Sequence, residues 1–512
     1  MEPMLSPLPP ATDVLVAGAG PAGTTVAGLL AQLGYDVLLV EQQRFPRYHV
    51  GESLTPAVEP LFEFLGLSAR MAGARFVRMP GHTFRWNGGE RTSYFGASPA
   101  GSDVLGYQVW RARFDRILLE RARELGARVV LGATAHGPLS SSGADPERVT
   151  GLRVSGPDQI ERSVAARLVI DATGMRGLLA RHFGLRMADP APPALAIWGY
   201  WRSAGDPSGR DAMNTYVESF ADGWIWTVRV RPDLRNVTVM VDPTAARPQL
   251  KALGLERFYR EQIRATVATR GFLADAQLAT RLWSCDGRWY RARAAGGPGY
   301  LVIGDAASYV DPLTSQGVRK AIGSGMHAAV VANTLLREPA LADLALAFGQ
   351  AEEERSYFVF RDAAVRSLLA EERWRAHAFW RERTPQVLGE PGPDPPPPRR
   401  GGLRDAVRQA PLARLRLHWP AGARLEQKPV VVRNILRLRP AVVTQAAPTG
   451  IGAPDLDLEH LFPLVAARKP LPDVVDGYLA LSGRGREARA EVLVALERLV
   501  DEGACDVVIE GS

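Results

Sequence analysis

The sequence is poor in lysine and cysteine. Of 62 basic residues only Lys251, Lys320, Lys428 and Lys469 are lysines, and none falls in the first 250 positions. The remaining basic residues are arginines spread among 55 acids, so the net charge of +7 does not come from a tract that could neutralise a phosphate backbone. No nucleic-acid partner is expected. Cys285 and Cys505 are far apart and lack metal-ligand spacing, which excludes a disulfide framework and predicts a reducing, cytoplasmic setting. No run is long and apolar enough to span a bilayer, and the N-terminus has no basic stretch leading to an apolar segment and cleavage site. A membrane partner is not expected either.

What is present is ordinary for a globular chain, 46 % hydrophobic and 23 % charged, and 512 residues predict several domains. Residues 13–17 form an apolar run, 21–33 carry helical spacing, and 36–40 form a second apolar run. This pattern predicts a β-α-β unit with a parallel sheet. Gly18, Gly20 and Gly23 stand between strand and helix as G-x-G-x-x-G, with Ala22 inside the motif. Such glycines give a tight turn, close backbone approach to a diphosphate and close helix packing, and the helix N-terminus offers free N–H groups. Glu41 ends the second strand, where an acid accepts hydrogen bonds from a ribose diol. Asp171 and Gly174 end a further apolar strand. Gly304 and Asp305 end another, followed by Pro312, Gln316, Gly317 and Val318. Together these segments predict a dinucleotide site.

This array resembles the FAD monooxygenases of the p-hydroxybenzoate hydroxylase fold and, within them, the flavin-dependent halogenase-like branch. The segment Phe45-Pro46-Arg47-Tyr48-His49-Val50-Gly51-Glu52-Ser53-Leu54 is similar to that branch's signature, and Gln108-Val109-Trp110-Arg111 to its helix entry. The resemblance implies bound FAD, with Ser53 and Arg111 among its contacts. It also implies molecular oxygen, NAD(P)H acting directly or through a flavin reductase, a C4a-hydroperoxide, and an aromatic substrate, free or held on a peptide or carrier.

Halogenases of this branch direct their electrophile with a lysine, because a neutral amine captures it and a guanidinium does not. Met79 stands where that lysine is expected. Trp224 and Trp226 keep the tryptophans of a Trp-x-Trp-x-Ile-Pro marker, and the Ile-Pro is lost. These departures favour hydroxylation of an electron-rich ring, with halogenation and a non-oxygenating flavoprotein as alternatives. The stretch Asp311–Ala321 resembles flavoproteins that hydroxylate a peptidyl tryptophan. Candidates on the substrate side are Met79, His82, Trp86, Trp198, Trp224 and Trp226, with His49 and His82 as acid–base candidates. Glu52 is a further candidate, for function or for helix capping. Lys320, behind Gly317, is expected to meet flavin or phosphate.

The expected fold class is α/β, a Rossmann-like FAD domain at 10–186 and 276–340 with an antiparallel substrate sheet inserted at 187–275. A helical segment at 341–388 and a proline-rich linker at 389–403 follow. A small helical, winged-helix-like module at 404–512 ends the chain.

Overall fold

The computed structural model describes residues 8–97, 102–141, 148–203, 210–391, 403–444, 447 and 450–510. Most of the proline-rich linker lies outside the described residues. Two compact units result, one drawn from residues up to 332 and from 349 to the linker, the other from 333–348 and the chain beyond the linker.

The first unit begins with the expected β-α-β motif: β1 (Ala11–Ala17), α1 (Pro21–Gln32) and β2 (Val37–Glu41). Val14 to Ala17 and all of β2 are buried, as strands covered on both faces require. β1 pairs in parallel with β2 on one side and with Glu161–Asp171 on the other. Tyr300–Val302 and Arg128–Leu131 extend the parallel sheet at its two sides. An antiparallel excursion, Thr134–Ser140 with Val149–Ser155, joins it through Glu161–Asp171. α1 packs against the helix Arg111–Glu124, and a Cβ at Gly28 would meet Ala122 Cα at 3.2 Å.

The second sheet is eight-stranded and reaches beyond the expected 187–275. Its centre is antiparallel: Leu195–Arg202, Leu234–Val241, Gly223–Arg231 and Thr215–Phe220. Gly81–Trp86 then pairs in parallel with Thr215–Phe220 and carries Gly89–Tyr94, while Trp283–Asp286 pairs with Leu195–Arg202. Residues 81–94 therefore leave the flavin-binding sheet and belong to this one. The reason is non-local pairing: His82 lies opposite Thr215, a register that no local periodicity encodes.

Across 341–388 the chain forms the helices Ala342–Leu369, Ala378–Arg381 and Pro385–Leu388. The later part of this segment is fixed to the second sheet. Trp380 Nε1 donates to Phe220 O at 2.8 Å, and buried Glu371 accepts from the Asn87 amide at 2.7 Å and from Ser219 Oγ.

In the second unit, the helices Leu458–Ala466, Leu471–Ser482 and Arg489–Asp501 surround an apolar core that includes Leu461, Val475, Tyr478 and Leu496. Pro472 sits in the first turn of the second of these helices, and Gly483 in the left-handed region ends it. Asp506–Ile509 closes on Leu415–His418, and Arg424–Val432 forms a hairpin with Ile435–Val443.

Candidate functional site

A cavity of about 380 Å³ lies between the two sheets of the first unit. Its wall begins at the β1–α1 turn. Gly18 has φ +104°, and a Cβ there would strike Ala172 O. A Cβ at Gly23 would strike Gly18 O, so the turn and the helix approach one another only without side chains. α1 has no side-chain cap, and its first-turn N–H groups face the turn that carries Gly18 and Gly20. Glu41 is buried and accepts from Ala19 N at 2.9 Å and from Gln43 N at 2.8 Å, which leaves acceptor capacity on both oxygens.

Two arginines supply positive charge to the same wall. Arg111 is buried; its Nε and Nη2 donate to the two oxygens of Asp115 at 2.6 and 3.0 Å, and its Nη1 donates to Val50 O at 2.7 Å. Arg47 Nη2 donates to Ala19 O at 3.1 Å and lies 3.5 Å from Asp115. Uncapped N–H groups, two cations and an acid with spare lone pairs are the donor set that a diphosphate with ribose hydroxyls requires, so the residues present fit FAD.

The opposite wall is aromatic. Trp198, Trp224 and Trp226 line it together with Ala196, Thr215 and Val217. The Trp224 and Trp226 rings stand 5.1 Å apart, and Trp198 stacks on Trp283 at 6.3 Å. Trp198 and Trp226 share a face because both lie opposite Thr238 in adjacent ladders.

The expected cofactor contacts divide. Gly18, Gly20, Ala22, Glu41, Ser53, Arg111, Gly174, Asp305, Pro312, Gly317 and Val318 line the cavity. Gly304 shapes it from behind, since a Cβ there would meet Ala22 Cβ at 2.9 Å.

Asp171 is a correction. It is fully buried and accepts from Thr173 N, Thr173 Oγ1 and Leu179 N at 2.6–3.0 Å, so it holds the following turn and helix rather than a ligand. Its strand carries the side chain away from the cavity, a direction that the motif alone does not specify. Gln316 also lies outside the lining; its backbone oxygen accepts from Lys320 N.

Among the catalytic candidates, His49, Trp224 and Trp226 line the cavity, while Met79 and His82 do not. Met79 sits behind Thr215 and Ser53, with Thr215 Oγ1 3.0 Å from its sulfur. His82 packs edge-on against Phe95, and burial lowers its pKa to about 4. Trp86 donates to Ser367 O and packs on Trp380, so it belongs to the core. Strand register turned these three side chains away. The His49 ring is exposed along the cavity; desolvation by the protein around it, then Arg111, lowers its pKa.

Lys320 does not reach the cavity either. It is buried, donates to Ser308 O, and lies 3.3 Å from Asp305, which fastens the loop after Tyr300–Val302. No lysine is among the lining residues.

The structure adds Tyr48, Arg176, Cys285 and Tyr309 to the lining. Tyr48 and Arg176 follow recognised motif residues and could have been taken from adjacency. Cys285 arrives through its pairing with Ala196, which has no local signal.

Comparison with known proteins agrees with this geometry. The family described as "FAD binding domain" matches residues 11–359. A tryptophan 2-halogenase of Chondromyces crocatus is 32 % identical over 336 residues, 64 % of this chain. The match spans 62 % of that relative, less than two thirds of its length. The myxobacterial chondrochloren halogenase CndH superposes with a TM-score of 0.69 at 29 % identity, over 73 % of this chain and 86 % of that one. The peptidyl tryptophan dihydroxylase QhpG has a TM-score of 0.65 at 23 % identity, over 96 % and 99 %, and shares the fold. With its phosphate cradle, its two sheets and these relatives, the chain belongs to the FAD-binding domain family and, within it, to the halogenase-like branch of the FAD monooxygenases.

Proposed function

We propose that this chain uses FAD to deliver an electrophilic atom to an electron-rich aromatic ring. The observation that carries this reading is the cavity itself, in which the diphosphate cradle and three indole rings share one enclosure. Reduced FAD supplies the two electrons that activate dioxygen. Gly18, Gly20 and the start of α1 would hold the diphosphate, Glu41 a ribose, and Arg111 and Arg47 the negative charge. Trp198, Trp224 and Trp226 would bind a flat ring by stacking and exclude water from the reacting atoms.

Two readings of the transferred atom remain, each with its own support. Halogen transfer has the stronger backing from the relatives, since the tryptophan 2-halogenase and CndH are both halogenases. Hydroxylation is favoured by the lining, which has no lysine to capture an electrophilic halogen; Met79 is buried behind the wall and Lys320 is engaged elsewhere. The test is to incubate the chain with FAD, a flavin reductase, NADH, oxygen and bromide, offering free indoles, phenols and tryptophan-containing peptides. A product heavier by about 16 Da per oxygen supports hydroxylation. The paired isotope pattern of bromine supports halogenation. FAD binding with neither product defeats the proposal.

A further inference from the structure

Glu52 combines three features. It is fully buried, it lines the cavity, and its two carboxylate oxygens are held from different elements, a strand of the second sheet and the loop at Gly51. Tyr200 Oη, on the Leu195–Arg202 strand, donates to Oε1 at 2.7 Å, and Gly51 N donates to Oε2 at 2.9 Å. Gly51 has φ +102°, a left-handed conformation that costs little without a side chain and that turns its amide onto the carboxylate. Arg111 braces the same turn by donating to Val50 O and Gly51 O.

The charges around Glu52 are only partly matched to it. Arg111 is the nearby cation, but its fork is taken by Asp115 in a bidentate pair. Arg47 also serves Asp115, and His49 is held below its ordinary pKa. Tyr200 is the titratable group facing Glu52 from the second sheet, and burial beside Glu52 raises its own pKa, so it stays a donor. Burial therefore dominates and raises Glu52 to about 7. Asp311 and Glu353 are likewise raised, to about 6 and about 7, yet neither lines the cavity. A tie between this loop and the second sheet needs no ionisable group, since burying a carboxylate costs more than burying an amide. A titratable group kept beside a cavity points to use of its proton.

We infer that Glu52 is the acid–base residue of the site, exchanging a proton with an oxygen or nitrogen atom of a molecule bound in the cavity. In the forward step the Glu52 O–H bond breaks, an O–H or N–H bond forms on the bound molecule, and the electron pair stays on the carboxylate. The Tyr200 hydroxyl and the Gly51 amide then hold that carboxylate until a proton returns by the reverse step. The inference deepens the function proposed above and rests on it for the identity of the bound molecule.

The test reads the proton directly. Infrared spectra of the full chain, with and without FAD, are recorded from pH 5 to 9. Wild type should show the carbonyl band of a protonated carboxylic acid disappearing with a midpoint near 7. Glu52→Gln should remove one carboxylic acid from that band, leaving the share of Glu353, and in turnover lose the matching limb of the kcat profile, while FAD affinity stays within about threefold. Tyr200→Phe should move the midpoint upward by about one pH unit, because a donor that favours the carboxylate is gone. In Tyr200→Phe the limb of the kcat profile should move upward together with the band, whereas a merely structural Glu52 would shift its band and leave the kcat limb in place. The inference is overturned if the difference between wild type and Glu52→Gln contains no band with a midpoint near 7, or if Tyr200→Phe leaves the kcat limb in place. The second variant decides alone should the first not fold. Failure to bind FAD would defeat the proposed function, whereas the FAD-free titration still reports on Glu52.

Discussion

Arg111 and Asp115 show how one residue can serve both stability and site. Their bidentate pair is buried, so removing Asp115 leaves Arg111 without its counterion, and removing Arg111 leaves Asp115 only the 3.5 Å contact with Arg47. Arg111→Met should destabilise the first unit by about 3–5 kcal/mol, measured by chemical denaturation, and Asp115→Asn in the same chain should restore part of that loss. At Gly23 the expectation is different. An alanine there must displace the Gly18 carbonyl from which the phosphate cradle begins. Gly23→Ala should cost about 1–3 kcal/mol of stability and abolish FAD retention, read as flavin absorbance per mole of purified protein. Retention of FAD at wild-type stoichiometry would contradict the assignment of the β1–α1 turn.

At the level of elements, the helical segment after α1's sheet shapes the aromatic wall from behind. Trp380 anchors it through one indole hydrogen bond to Phe220 O and an edge contact with Trp86, their rings 5.5 Å apart. Trp380→Phe keeps an aromatic ring and loses the bond, so about 1 kcal/mol of stability should go, with FAD binding unchanged. Parallel measurements of melting and flavin titration check both halves. Elements differ in how legible they were. The β1–α1–β2 unit is local, and its apolar period and glycine spacing announce it. The second sheet is not, because the Gly81–Trp86 strand finds its partner more than a hundred residues later. His82 was misjudged for that reason, since its facing depends on the register with Thr215; Met79 lies on the separate strand Val77–Met79, paired with Gly106–Gln108, and is turned toward Ser53 and Thr215.

For the whole molecule, the buried acids set a pH dependence. Glu52, Glu353 and Asp311 have folded-state pKa values of about 7, about 7 and about 6, all above their ordinary values. Their contribution to stability is therefore fully present below pH about 4 and is lost as pH rises through about 6 to 7. Asp115 and Asp189, paired with arginines, are lowered and act oppositely, losing their contribution only in stronger acid. Stability of the first unit should thus fall from pH about 4 to about 7, and Glu52→Gln combined with Glu353→Gln should flatten that fall. Tryptophan fluorescence reports this selectively, since of 11 tryptophans only Trp419 belongs to the second unit. An equal slope in wild type and the double variant would count against the raised acids.

The sequence by itself determined the β-α-β unit, the glycine turn, the acid at Glu41 and the absence of lysine before residue 251, because each is written in neighbouring residues or in composition. Only the tertiary structure decided which side chains meet in the cavity. It turned Asp171 into a brace, placed Lys320 behind the loop, and brought Tyr200 onto Glu52 across 148 positions of chain. Strand register and the closure of distant loops settle such contacts, and neither leaves a local trace in the order of residues.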